Sequence, residues 1–104
     1  MALPKSGTGV LEETRTQVAR PKLYRVVLLN DDYTTMEFVV YVLQSVFHKS
    51  LEEATQLMLA IHHEGRGIAG IYPYEVAEMK ALTVLEMARH HEYPLQAYCE
   101  GEEG

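Results

Sequence analysis

The chain has 104 residues, 47% of them hydrophobic, so one small domain can bury a core without disulfides or metal. Its net charge of -6 is uneven: residues 23–104 hold five Lys/Arg against thirteen Asp/Glu, which repels a phosphate backbone and favours a cationic ligand. The lone Cys99 excludes an internal disulfide and fits a reducing compartment. With no apolar run of about 18 residues and no secretory signal at the start, the expectation is a cytoplasmic protein without a membrane span.

Residues 1–22 contain Gly7, Gly9, Pro4 and Pro21 without sustained periodicity and read as a flexible N-terminal extension. Leu23-Tyr24-Arg25-Val26-Val27-Leu28-Leu29 is rich in β-branched and apolar residues and predicts a strand buried on both faces. The polar run Asn30-Asp31-Asp32-Tyr33-Thr34-Thr35 ends it. Thr34 and Glu37 have capping-box spacing, which predicts a helix from Thr35. Met36, Val39, Val40, Leu43, Val46 and Phe47 supply its apolar face, and His48-Lys49 closes it with positive charge.

Ser50 and Glu53 repeat the capping-box spacing and start a second helix, with Leu51, Ala54, Leu57, Met58 and Ile61 as its stripe and Gly65 as its stop. Residues 66–72 predict a second strand. Pro73 opens a third helix whose core face is Val76, Ala77, Ala81, Val84, Leu85 and Ala88. Residues 95–100 alternate like a half-exposed strand, and residues 101–104 read as a loose tail. The expected class is α+β in the order β-α-α-β-α-β: a three-stranded antiparallel sheet with three helices packed on one face, forming a core domain over residues 23–100.

Catalytic and metal motifs are missing. Asp31-Asp32 are neighbours on a turn and point apart, with no second acid spaced to make a working pair. His62-His63-Glu64 is not a zinc motif, since adjacent helical His residues diverge by about 100°. There is neither a phosphate loop nor a nucleophile elbow. The reading is therefore no enzyme, no metal and no cofactor.

A binding site reads better. Met58, Ile61 and His62 lie at i, i+3 and i+4 and share a helical face, while Met36 and Val39 follow the acceptor-rich turn. If the first two helices pack side by side, an apolar hole forms under a mouth of oxygen and nitrogen acceptors. That suits a large apolar side chain beside a free ammonium, the shape of a peptide's first residue. Asn30, an Asp carboxylate and a neutral His62 each accept one of its N–H groups. Binding should therefore weaken when acid protonates His62. The rival reading is a general interaction domain whose turn and methionines are structural and which works through the third helix.

At this point the sequence resembles the ClpS family, adaptors of the bacterial N-end rule pathway, over about residues 22–100. The resemblance rests on residues 24–39 (YRVVLLNDDYTTMEFV), 54–62 (ATQLMLAIH), 75–80 (EVAEMK) and Pro94-Leu95. It implies an adaptor, not an enzyme, that binds N-degron proteins beginning with Leu, Phe, Tyr or Trp and hands them to a ClpA- or ClpC-type AAA+ unfoldase for degradation by ClpP. By resemblance, Asn30, Asp32 (through a water) and His62 hold the α-amino group, with Asp31 in the same acidic mouth. Thr34, Met36, Val39, Met58, Ile61 and Leu95 line the side-chain pocket, Met36 as gatekeeper. Glu75 and Lys80 match the contact surface for the unfoldase's N-terminal domain, residues 1–22 the extension used in delivery, and the expected state is a monomer. Three positions depart from the family pattern: Thr35 replaces a common Pro, Ile61 a common Val, and His63 a common aromatic. Ile61 adds a methylene to the pocket wall, which predicts a poorer fit for Trp than for Leu or Phe.

Overall fold

The computed structural model describes residues 20–103. Six elements follow in the predicted order: β1 (Leu23–Leu29), α1 (Met36–Ser45), α2 (Leu51–Glu64), β2 (Arg66–Pro73), α3 (Tyr74–His90) and β3 (Gln96–Gly101). The strands form one antiparallel sheet in the order β2-β1-β3, so β1 is central. Its placement explains its composition, because Val26, Val27 and Leu28 are all fully buried. Val26 and Leu28 face the helices, joined by Ala69 and Ala97 from the flanking strands and by Phe38, Val42, Leu43, Ala54, Ala77, Val84 and Ala88. The β1–β2 register shifts between Val26 and Val27, leaving Ala69 as the extra residue of a bulge.

The helix boundaries correct the sequence reading in detail. Thr35, not Thr34, is the N-cap of α1, its hydroxyl accepting the Phe38 N–H at 3.1 Å. Thr34 is unavailable because both its N–H and its hydroxyl are directed to Asp31. The predicted pairing of Thr34 with Glu37 is thus replaced by a cap one residue later. The expected capping box of Ser50 and Glu53 is present in both directions, at 3.0 and 3.1 Å.

The end of α1 also differs. The helix stops at Ser45, and His48 takes a left-handed conformation (φ 58°) to turn the chain. The cation at its negative end comes from α3: Lys80 Nζ donates to Val46 O at 2.7 Å and stands 5.2 Å from the Tyr72 ring centroid and 5.8 Å from that of Phe47. Leu51 and Val76, expected in the core, are exposed. Each lies in the first turn of its helix, ahead of the buried stripe that begins at Ala54 and Ala77. Phe38 and Val42 are core positions that the predicted stripe of α1 left out.

The predicted extension over residues 1–22 falls almost wholly outside the described residues. The predicted loose tail begins too early. Gly101 closes β3 opposite Tyr24, and the Glu102 N–H donates to Leu23 O at 2.9 Å. Arg25 then donates to the carbonyls of Gly101 and Glu102 and pairs with Glu100. No helix among the described residues is long and apolar enough to cross a membrane.

Candidate functional site

The register of the sheet builds the site. Leu29, the last residue of β1, stands opposite Arg66 of β2 on one side and Gln96 of β3 on the other. One residue beyond those pairs, Asn30 meets Gly65 at the end of α2 while Leu95 enters β3 alongside. The Asn30 N–H donates to Gly65 O at 2.9 Å. Gly65 caps α2 in a left-handed conformation (φ 92°), its own N–H donating to Ile61 O at 2.8 Å, so two backbone bonds fix the turn against the last turn of α2.

A cavity of about 480 Å³ opens where these segments converge. It is lined by Asn30, Asp31, Asp32, Thr34, Met36, Val39, Met58, Ile61, His62 and Leu95, every residue the sequence had put into the α-amino site and the side-chain pocket. Val39, Met58, Ile61 and Leu95 are buried and form the apolar part. Asn30, Asp32 and His62 are exposed and carry the polar groups at the mouth. Met36 is 47% exposed, which puts its flexible thioether at the rim rather than in the core stripe. Glu75 and Lys80 lie apart from the cavity on α3, Glu75 exposed and Lys80 half-buried against Val46.

The two adjacent carboxylates have separate employment. Asp31 folds the turn: it accepts the N–H of Tyr33 at 2.8 Å, the N–H of Thr34 at 2.7 Å and the Thr34 hydroxyl at 2.8 Å. Partial burial by itself would raise the Asp31 pKa. The Thr34 N–H, Thr34 hydroxyl and Tyr33 N–H bonds together outweigh it and hold the carboxyl below its ordinary value of 3.8. Asp31 is therefore a positioning group for the mouth, and Asp32 is the carboxylate left exposed beside it.

The folded state prefers ionised Asp31, so its stabilising contribution is complete above the ordinary value of 3.8 and is lost as pH falls through the lower folded value. Thermal melts of the wild type and Asp31→Asn should differ at pH 6 and converge under strongly acidic conditions. A gap that widens on acidification would contradict the role given to Asp31.

Five further lining residues were not singled out from the sequence: Leu28, Leu29, Tyr33, Thr35 and Glu37, the last three within the stretch read as the pocket's polar half. Leu28 was legible in principle, since it shares a strand face with Val26 and ends under the turn. Glu37, assigned to capping, instead adds a third carboxylate to the rim in the first turn of α1. Among the described residues, no three His, Cys, Asp or Glu side chains gather as a metal site.

Comparison with known proteins gives this arrangement its context. The model of the family described as ATP-dependent Clp protease adaptor protein ClpS matches residues 19–98. The ATP-dependent Clp protease adapter protein ClpS of Hyphomonas neptunium is 54% identical over 99 residues, covering 93% of this chain and 84% of that one. The protein of the same name from Caulobacter vibrioides (strain NA1000 / CB15N) is 52% identical over 94 residues, covering 90% and 86%. Among solved structures, Agrobacterium tumefaciens ClpS2 bound to L-phenylalaninamide superposes with a TM-score of 0.78 at 38% identity, covering 80% of this chain and all of that one. Matched over most of its length in sequence and fold, the chain belongs to the ClpS family, whose members are adaptors of the ATP-dependent Clp protease and not enzymes.

Proposed function

We propose that the cavity binds the free N-terminal residue of N-degron proteins, with Leu, Phe, Tyr or Trp as the first side chain. The observation that carries this reading is the union, in one cavity, of an acceptor-rich mouth and a buried apolar floor. Asn30, His62 and Asp32 (the last through a water) accept from the ammonium, while Thr34, Met36, Val39, Met58, Ile61 and Leu95 surround the side chain. An internal residue offers one N–H and no charge, so it leaves acceptors unpaired at roughly 1–3 kcal/mol each. L-Phenylalaninamide, the ligand of the Agrobacterium protein, has the matching chemistry: a free ammonium, an aromatic side chain, and an amide in place of the next peptide bond.

The bound protein is then delivered to the N-terminal domain of a ClpA- or ClpC-type unfoldase for degradation by ClpP, in the cytoplasm, by a monomeric adaptor. We place the charged part of that contact on Glu75. Lys80 supports the same surface from below, its ammonium being bonded to the end of α1. Residues 1–22 serve delivery.

The test is a binding assay with fluorescent peptides that differ only in their first residue, repeated with His62→Ala. Leu-, Phe- and Tyr-first peptides should bind in the micromolar range and Ser- or Gly-first peptides at least tenfold more weakly. His62→Ala should weaken the former by roughly ten- to a hundredfold, the loss of one hydrogen bond to a charged group. Binding indifferent to the first residue would favour the general interaction domain instead.

A further inference from the structure

A second depression adjoins the first. A groove of about 390 Å³ runs between α1 and α2, lined by Met36, Glu37, Val40, Tyr41, Gln44, Leu51, Thr55 and Met58. Met36, Glu37 and Met58 belong to both hollows, so the gate and rim of the first are the near end of the second. From Met36 to Gln44 the groove follows nine residues of helix, a rise of about 12 Å. Its walls are open and mostly apolar, with Glu37, Gln44 and Thr55 interspersed: Tyr41 is 54% and Leu51 63% exposed.

Resting on the reading that the first cavity holds a peptide's first residue, we propose that this groove is a subsite for the third residue of the same substrate and selects a large apolar side chain there. With the ammonium at the turn and the first side chain in the cavity, the main chain leaves on the side away from Asn30. Met36, Glu37 and Met58 form the wall shared with the groove. An extended chain advances about 3.3 Å per residue and alternates its side chains, so the third residue faces the same way as the first about 7 Å further on. That distance reaches the middle of the groove, over Val40 and Thr55. The second side chain points to solvent. Continuity with the first cavity and the match in length commit the groove to the substrate chain rather than to an unrelated partner.

The experiment uses Leu-first peptides of otherwise alanine and serine residues, each with a single Leu placed at position 2, 3, 4 or 5, together with Nα-acetylated controls. Fluorescence anisotropy should show binding about tenfold tighter for Leu at position 3 than for Ala, with little gain at position 2. Val40→Thr, which keeps side-chain shape, and Leu51→Ser, an exposed position, should each reduce that gain while leaving the all-alanine peptide unaffected. A flat profile, or a gain that both variants leave intact, overturns the subsite while free-amine dependence preserves the first cavity. Equal binding of acetylated and free peptides overturns both. Sedimentation showing a dimer that Leu51→Ser dissociates would give the groove to a second copy of the chain and likewise overturn the proposal.

Discussion

Acetylating the α-amino group of a Leu- or Phe-first peptide should abolish measurable binding, a loss of a hundredfold or more. The physical reason is a comparison of two contributions. Burying one Leu or Phe side chain is worth about 1.5–3 kcal/mol, which by itself barely offsets the ordering and rigid-body costs of association. Each hydrogen bond between the ammonium and an acceptor adds roughly 1.5–3 kcal/mol, and on the proposed reading Asn30, His62 and Asp32 (through a water) would supply about three. Acetylation removes the charge and all but one donor, and brings a methyl and a carbonyl against acceptor atoms. Isothermal titration with matched free and acetylated peptides measures the difference directly. If the acetylated peptide bound within threefold of the free one, the mouth would have no part in recognition, and the exposed face of α3 would become the binding surface to pursue.

The parts of the molecule legible in the sequence are those governed by short-range periodicity. The face shared by Met58, Ile61 and His62 follows from 3.6 residues per turn, and the structure puts all three on the cavity wall. Strand β1 was legible from its run Val26-Val27-Leu28-Leu29, because the middle of a central strand is buried on both sides. Features set by pairing across the chain were not legible. Leu95 lines the cavity because β3 lies beside β1 with Gln96 opposite Leu29, a register that no local pattern encodes; it entered the sequence reading only through family resemblance.

The same limit applies to Lys80, whose bond to Val46 O, 34 residues away in the chain, no local pattern encodes. Within the turn, capping-box spacing favoured Thr34 as the cap, where the structure uses Thr35. Both are hydroxyl residues ahead of a helix, and the decision rests with Asp31, which draws Thr34 into the turn and leaves Thr35 to meet Phe38. Composition likewise showed two carboxylates without showing that one is consumed in holding the loop. The chemistry of the mouth therefore depends on Asp31, although Asp31 has its hydrogen-bonding capacity directed inward.

Gly67→Ala should narrow the pocket from behind. Gly67, the second residue of β2, stands opposite Leu28, and a Cβ added there would lie 2.6 Å from Ile61 Cγ1 and 3.4 Å from both Ile61 Cδ1 and Leu57 Cδ1. The nearest atom is the inner carbon of a side chain only 2% exposed, so Ile61 cannot swing into solvent. It must advance into the cavity or push its neighbours apart, and overpacking of this kind costs about 1–3 kcal/mol. Ile61 already gives the wild type its extra methylene, so Trp-first peptides should bind more weakly than Leu- or Phe-first ones. In Gly67→Ala that discrimination should sharpen, with about a tenfold loss for Phe- and Trp-first peptides and a smaller one for Leu. Adding Ile61→Ala to Gly67→Ala should restore the larger side chains, because the new methyl then occupies space vacated by Ile61; a double-mutant cycle on peptide affinity reads that coupling. Equal losses for Leu, Phe and Trp, unrelieved by the second substitution, would mean that Gly67 supports stability alone and that Ile61 does not set the depth of the pocket.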